Sequence, residues 1–161
     1  MEKDLKSAHK VPFSPALGTL QCHPLRVEPG QELRSTLSQF VRARHLNSAF
    51  VLTCVGSVTS AHLRMANATE TKLYDKGPYE IVSLVGTLSG GSCGHLHASL
   101  SDADGSVVGG HVLDQMVVHT TAEVVIGNVG GVVFTREFDH RTGYDELCVK
   151  GQEDEKAGAG Q

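Results

Sequence analysis

Apolar residues follow two rhythms along this chain. Leu33, Leu37, Phe40 and Val41 recur at helical spacing and would form one buried stripe. The segment before them, Glu28-Pro29-Gly30-Gln31-Glu32, makes a turn and then places acidic side chains at the positive end of a helix dipole. This pattern predicts one long helix ending near Leu46-Asn47, with Arg34, Arg42 and Arg44 outside the stripe, on a solvated face or against an acidic partner.

From residue 50 onward the rhythm is that of β structure. The continuous apolar run 50–55 predicts a strand buried on both faces. Further strands are predicted at 58–64, 79–88, 95–101, 106–113, 116–126 and 132–138, about seven in all. One helix followed by a run of strands predicts an α+β fold, a largely antiparallel sheet flanked by the helix. Residues 18–149 would form a single domain between a flexible tail at 1–17 and a disordered tail at 150–161, neither of which has much to bury.

Composition narrows the picture. Apolar residues make up 40% of the 161 residues but aromatics only 5%, with no Trp, so the core should be aliphatic. A net charge of -4 opposes a general basic surface for nucleic acid. The first residues, Met1-Glu2-Lys3-Asp4-Leu5-Lys6, carry no apolar run of signal-peptide length, and no stretch is long enough to span a bilayer. Cys22, Cys54, Cys93 and Cys148 form no CxxC pair and read as reduced thiols. The expectation is a cytoplasmic or nuclear protein that is not secreted.

The chemistry concentrates in the histidines. In His95-Leu96-His97 the two imidazoles lie on one face of a strand, and Leu96, Ala98 and Leu100 turn to the core. Asp102-Ala103-Asp104-Gly105-Ser106 suits a three-residue hairpin loop with Gly105 in the left-handed conformation. Setting Asp102 opposite Ser106 puts His97 opposite His111 and Gly109 opposite Ser99, with Leu96 facing Val112 and Leu100 facing Val108 on the core side. A slip of one residue would turn His111 into the core. His95, His97 and His111 could then hold a metal ion. Three neutral imidazoles suit Zn²⁺ and leave a fourth position open, as in catalytic zinc sites. Without metal, the same rings would line a polar groove or a subunit interface.

Other candidates are weaker. Glu80 lies within an apolar strand, where it would serve as a fourth ligand, a general base, an acceptor behind a ligand, or an edge residue facing water. Glu123 has the same alternatives with less support, and His119 reads as structural or exposed. Asp102 and Asp104 are explained by the turn. The loop Gly90-Gly91-Ser92-Cys93-Gly94 lacks the strand-before, helix-after setting of a phosphate loop, and nothing near Cys93 clearly activates its thiol.

These residues together resemble the PPC (plants and prokaryotes conserved, DUF296) domain family. The matching segments are Leu25-Arg26-Val27-Glu28-Pro29-Gly30, Cys54-Val55-Gly56-Ser57-Val58, Leu63-Arg64, Gly77-Pro78-Tyr79-Glu80-Ile81-Val82-Ser83-Leu84-Val85-Gly86-Thr87-Leu88, Gly94-His95-Leu96-His97, Asp104-Gly105, Gly109-Gly110-His111 and Thr121-Ala122-Glu123. The resemblance implies an antiparallel sheet with a flanking helix and assembly as a homotrimer. It also implies kinship with acetolactate decarboxylase and zinc-containing ester hydrolases. In those relatives a three-histidine zinc site, here His95, His97 and His111, handles carbonyl or carboxyl chemistry on a small molecule, and Glu80 falls at the family's own Glu position. Plant members are nuclear proteins that bind AT-rich DNA through a separate Arg-Gly-Arg-Pro hook, while their PPC domain serves assembly and partner binding. This sequence has no such hook, so direct DNA binding is not expected of it.

Overall fold

The computed structural model describes residues 18–89 and 94–151. The expected tail at 1–17 and most of that at 150–161 lie outside the described residues, as do residues 90–93 with Cys93. Eight strands and one helix follow in the order β1 (Leu20–Val27), α1 (Leu33–Ala43), β2 (Ala49–Arg64), β3 (Thr71–Tyr74), β4 (Tyr79–Thr87), β5 (His95–Ser101), β6 (Val107–Val129), β7 (Val132–Asp139) and β8 (Tyr144–Gly151). Residues 150 and 151, expected in the C-terminal tail, complete β8.

All pairings are antiparallel. Six strands form one sheet in the order β1-β6-β5-β4-β2-β3, and β6 also pairs with β2. That extra pairing closes β2, β4, β5 and β6 into a small barrel, and β1 covers the edge that β6 leaves open along its second half. The interior is aliphatic: Val58, Leu63, Leu84, Leu96, Leu100, Val112, Met116 and Val118 are all buried. Among the described residues, β7 and β8 pair with each other alone, as a separate hairpin.

The helix has its predicted buried stripe of Leu33, Leu37 and Val41, with Phe40 packed against the core. It spans only 11 residues and stops at Ala43, short of the expected Leu46-Asn47. Glu32 caps it: the carboxylate accepts the backbone N–H groups of Arg34 (3.3 Å) and Ser35 (2.7 Å). The same carboxylate accepts the N–H of Met116 at 3.2 Å, which ties the start of the helix to the middle of β6.

Several expectations need correction. The runs 50–55 and 58–64 belong to one strand, β2, which stays paired to β6 through repeated bulges. Its first part is not buried on both faces, since Leu52, Thr53 and Val55 are exposed on the outside of the barrel. The runs 106–113 and 116–126 likewise form the single 23-residue β6, in which Gln115 takes a left-handed φ of 54°. β1, β3 and β8 were not expected.

Candidate metal centre

The hairpin joining β5 to β6 has the register that its turn residues predict. Gly105 has φ 81° and donates to the Asp102 carbonyl, and Asp102 N–H donates to the Ser106 carbonyl at 3.0 Å. The Asp102 side chain accepts the N–H groups of Asp104 (3.0 Å) and Ser106 (2.9 Å), so this aspartate serves the turn. From there the register places Leu100 opposite Val108, Ser99 opposite Gly109 and His97 opposite His111.

Leu96, Ala98 and Leu100 are buried, so His95 and His97 point outward. His111 is half-buried beside them. Ring centroids stand 5.1 Å apart for His95 and His97, 5.0 Å for His95 and His111, and 5.4 Å for His97 and His111. One nitrogen from each ring lies within 4.8 Å of the other two. The Nε2 atoms of His95 and His97 are 3.1 Å apart. Two imidazoles on one tetrahedral zinc, each about 2.0–2.1 Å from it, would have nitrogens about 3.3 Å apart. The His95–His97 pair therefore has the spacing of two ligands on a small divalent ion, and His111 offers a nitrogen within 4.8 Å of both. Among the described residues, the buried Nδ1 of His111 has no hydrogen-bond partner, and a ligand bond would satisfy it.

The surroundings favour the neutral form of His95 and His111, the form that binds metal. Burial, and then the positive charges of Arg64 and its neighbours, lower His111 to about 4. His95 is lowered by burial first, then by His97 and Arg136. Arg64 faces His111 across the β2–β6 pair. Arg34, expected on a solvated face, instead donates to the Leu113 carbonyl on β6. The shift at His111 has a consequence for stability. Between its ordinary value of 6.5 and about 4, the unfolded chain binds a proton there that the native chain does not. The metal-free protein is therefore expected to lose thermal stability as pH falls through that window, and this loss should shrink in His111→Gln. Melting temperatures measured from pH 7 to 4 check it.

Glu80 is not brought to the histidines within one chain. It is exposed and pairs with Ser101, whereas His97 pairs with Val85. At about 3.3 Å per residue this offset along the strands is roughly 15 Å. Glu123 is exposed opposite Val55 and Arg26, on another part of the barrel. His119 is exposed, with Nδ1 3.5 Å from the Ser57 hydroxyl. Burial raises the Cys54 thiol to about 11, which leaves it unreactive.

Sequence reasoning did not place Arg64, Arg136 or Glu146 at this site. His95 and His97 open onto a cleft of about 320 Å³ that Val85, Thr87, Arg136, Glu146 and Leu147 also line. Three of those residues come from the β7–β8 hairpin, whose docking no local pattern reveals. Bulges in β2 likewise hide the register that sets Arg64 against His111.

Comparison with known proteins agrees with this architecture. Residues 15–130 match the Plants and Prokaryotes Conserved (PCC) domain. A protein named Bifunctional protein GlmU from Synechococcus sp. (strain JA-3-3Ab) is 40% identical over 133 residues, which cover 83% of this chain and 21% of that protein. AT-hook motif nuclear-localized protein 14 of Arabidopsis thaliana is 31% identical over 117 residues, covering 68% of this chain and 28% of that one. The chain thus spans between about a fifth and somewhat over a quarter of the length of these relatives. A hypothetical protein from Salmonella cholerae-suis has a similar solved structure, with TM-score 0.78, 37% identity, and coverage of 84% of this chain and 96% of that one. A metal-containing protein from Archaeoglobus fulgidus matches with TM-score 0.65 and 27% identity, over 80% of this chain and 93% of that one. With its matched segment spanning most of the barrel and its histidine hairpin, the chain belongs to the Plants and Prokaryotes Conserved domain family.

Proposed function

We propose that this domain holds a zinc ion on His95, His97 and His111 and uses it, as a homotrimer, in carbonyl, ester or decarboxylase-type chemistry on a small molecule. The observation that carries the reading is the convergence of three ring nitrogens within 4.8 Å, from residues set side by side by one hairpin. Bound there, zinc would supply a Lewis acid with an open fourth position. The chain's own part is to orient the rings. Leu96 and Ala98 anchor β5 in the core, and the pairing of β6 with both β5 and β2 fixes His111. Likeness to a metal-containing archaeal protein supports the reading. Metal analysis of the purified protein tests it, with about one zinc per chain expected.

Assembly as a trimer would cover an apolar strip on the outside of the barrel. Leu52 and Val55 on β2 and Val82 on the neighbouring β4 are between 48% and 60% exposed. Such a strip marks an interface more readily than a solvent face. Val55→Asp is expected to convert the trimer to monomer, read by light scattering, without loss of bound zinc. Glu80 lies too far along β4 to reach its own chain's histidines, so any role for it at the metal requires a neighbouring copy.

A second reading follows from the likeness to a nuclear-localized AT-hook protein. In it the domain is an assembly and interaction module, nuclear in location, and the histidines serve structure alone. A purified protein that assembles normally without any zinc favours this second reading.

A further inference from the structure

We propose that Arg136, carried to the histidine cleft by the β7–β8 hairpin, is the binding residue for a carboxylate group on the small molecule that this cleft takes. The hairpin lies beyond the family match, which ends at residue 130. It is nevertheless joined to the site at two points. The Arg136 guanidinium donates to the Thr87 hydroxyl at 2.7 Å, and Thr87 pairs directly with His95. Tyr144 lies under the Arg64 guanidinium, 5.8 Å from its ring centre, and Arg64 is the cross-strand partner of His111. The hairpin therefore spans the cluster from the His95 side to the His111 side.

Among the described residues, Arg136 is held in place without an ion-pair partner. A guanidinium has five N–H donors. Here its contacts are the Thr87 hydroxyl and the Asp145 carbonyl at 3.5 Å. Among the described residues no carboxylate pairs with it. Thr87 fixes one edge of the fork, which leaves donors for a planar oxyanion in the cleft. Leu147, its cross-strand neighbour, and Val85 form apolar walls suited to a short carbon chain. Glu146 lines the same cleft and decides between anions. Its charge opposes a phosphate dianion more than a singly charged carboxylate.

The proposal deepens the metal reading but can be tested apart from it. Acetate, inorganic phosphate and methylammonium would each be titrated into ¹⁵N-labelled full-length protein, metal-free and zinc-treated, while the Thr87, His95 and Arg136 N–H signals are followed. Acetate is expected to shift these signals and to bind more tightly than phosphate, with no response to methylammonium. Arg136→Gln should weaken acetate binding by at least about tenfold, as expected for loss of a charged hydrogen-bond donor. Thr87→Val, which keeps the charge but removes its anchor, should weaken it by a smaller factor and guards against misfolding of the first variant. Unchanged acetate binding in both variants, tighter binding of phosphate, or an equal methylammonium response would overturn the proposal. If the protein takes up no zinc, the metal reading falls, and the metal-free titration still decides the role of Arg136.

Discussion

Replacing His97 with alanine is expected to lower zinc affinity by more than about 100-fold and to leave the barrel folded. Residues that merely support a metal ligand are worth about 10- to 100-fold in affinity. His97 is itself a member of the cluster, opposite His111 and 3.1 Å from His95 through the Nε2 atoms. Its loss leaves two imidazoles, one on each strand. The cost to folding should be small, because the ring is exposed while its neighbours Leu96 and Ala98 fill the core. Metal content by mass spectrometry, a competition titration for affinity and a melting curve of the metal-free variant read the two effects separately. Stoichiometric zinc in His97→Ala would sink the site as proposed.

Gly86→Ala is expected to destabilise the protein by about 2–6 kcal/mol and to disturb the same site. Gly86 lies on β4 between β2 and β5, opposite Val51 on one side and Leu96 on the other. An added Cβ would stand 1.9 Å from the His95 carbonyl oxygen and 3.0 Å from Leu96 Cα, both backbone atoms. No rotamer change relieves that contact. Overpacking of this kind costs about 1–3 kcal/mol. The φ of 135° adds strain of about 1–3 kcal/mol for any residue with a side chain. Against a typical total of about 5–15 kcal/mol, the loss is large. The carbonyl pushed aside belongs to His95, so zinc affinity should fall together with the denaturation midpoint. A variant with wild-type stability would show that β4 and β5 part more easily than their close approach indicates.

These two positions show how differently site and fold were legible. The histidine cluster was readable because it is local. Asp102 to Ser106 carry their own turn chemistry, the side-chain period of a strand is two, and these facts together oblige His97 to face His111. Elsewhere distant partners decide the structure. The run 50–55 is apolar throughout, yet Leu52 and Val55 face outward. Nothing in that run distinguishes a strand buried on both faces from one whose outer face is an apolar surface. The strand Leu20–Val27 contains Pro24 and few regularly alternating residues, and it forms because β6 offers a free edge along its second half.

The sequence by itself determined the short-range features of this protein: the amphipathic helix, the β5–β6 hairpin, the side of the strand on which each histidine lies, and membership of a recognisable family. Only the tertiary structure decided that β6 runs unbroken for 23 residues, that its pairing with β2 closes a barrel, and that Arg64 and Arg136 flank the histidines while Glu80 stands apart. The physical reason is the range of the forces involved. Turn geometry and strand alternation act over a few residues, whereas barrel closure and the docking of the last hairpin depend on burial between segments distant in the chain.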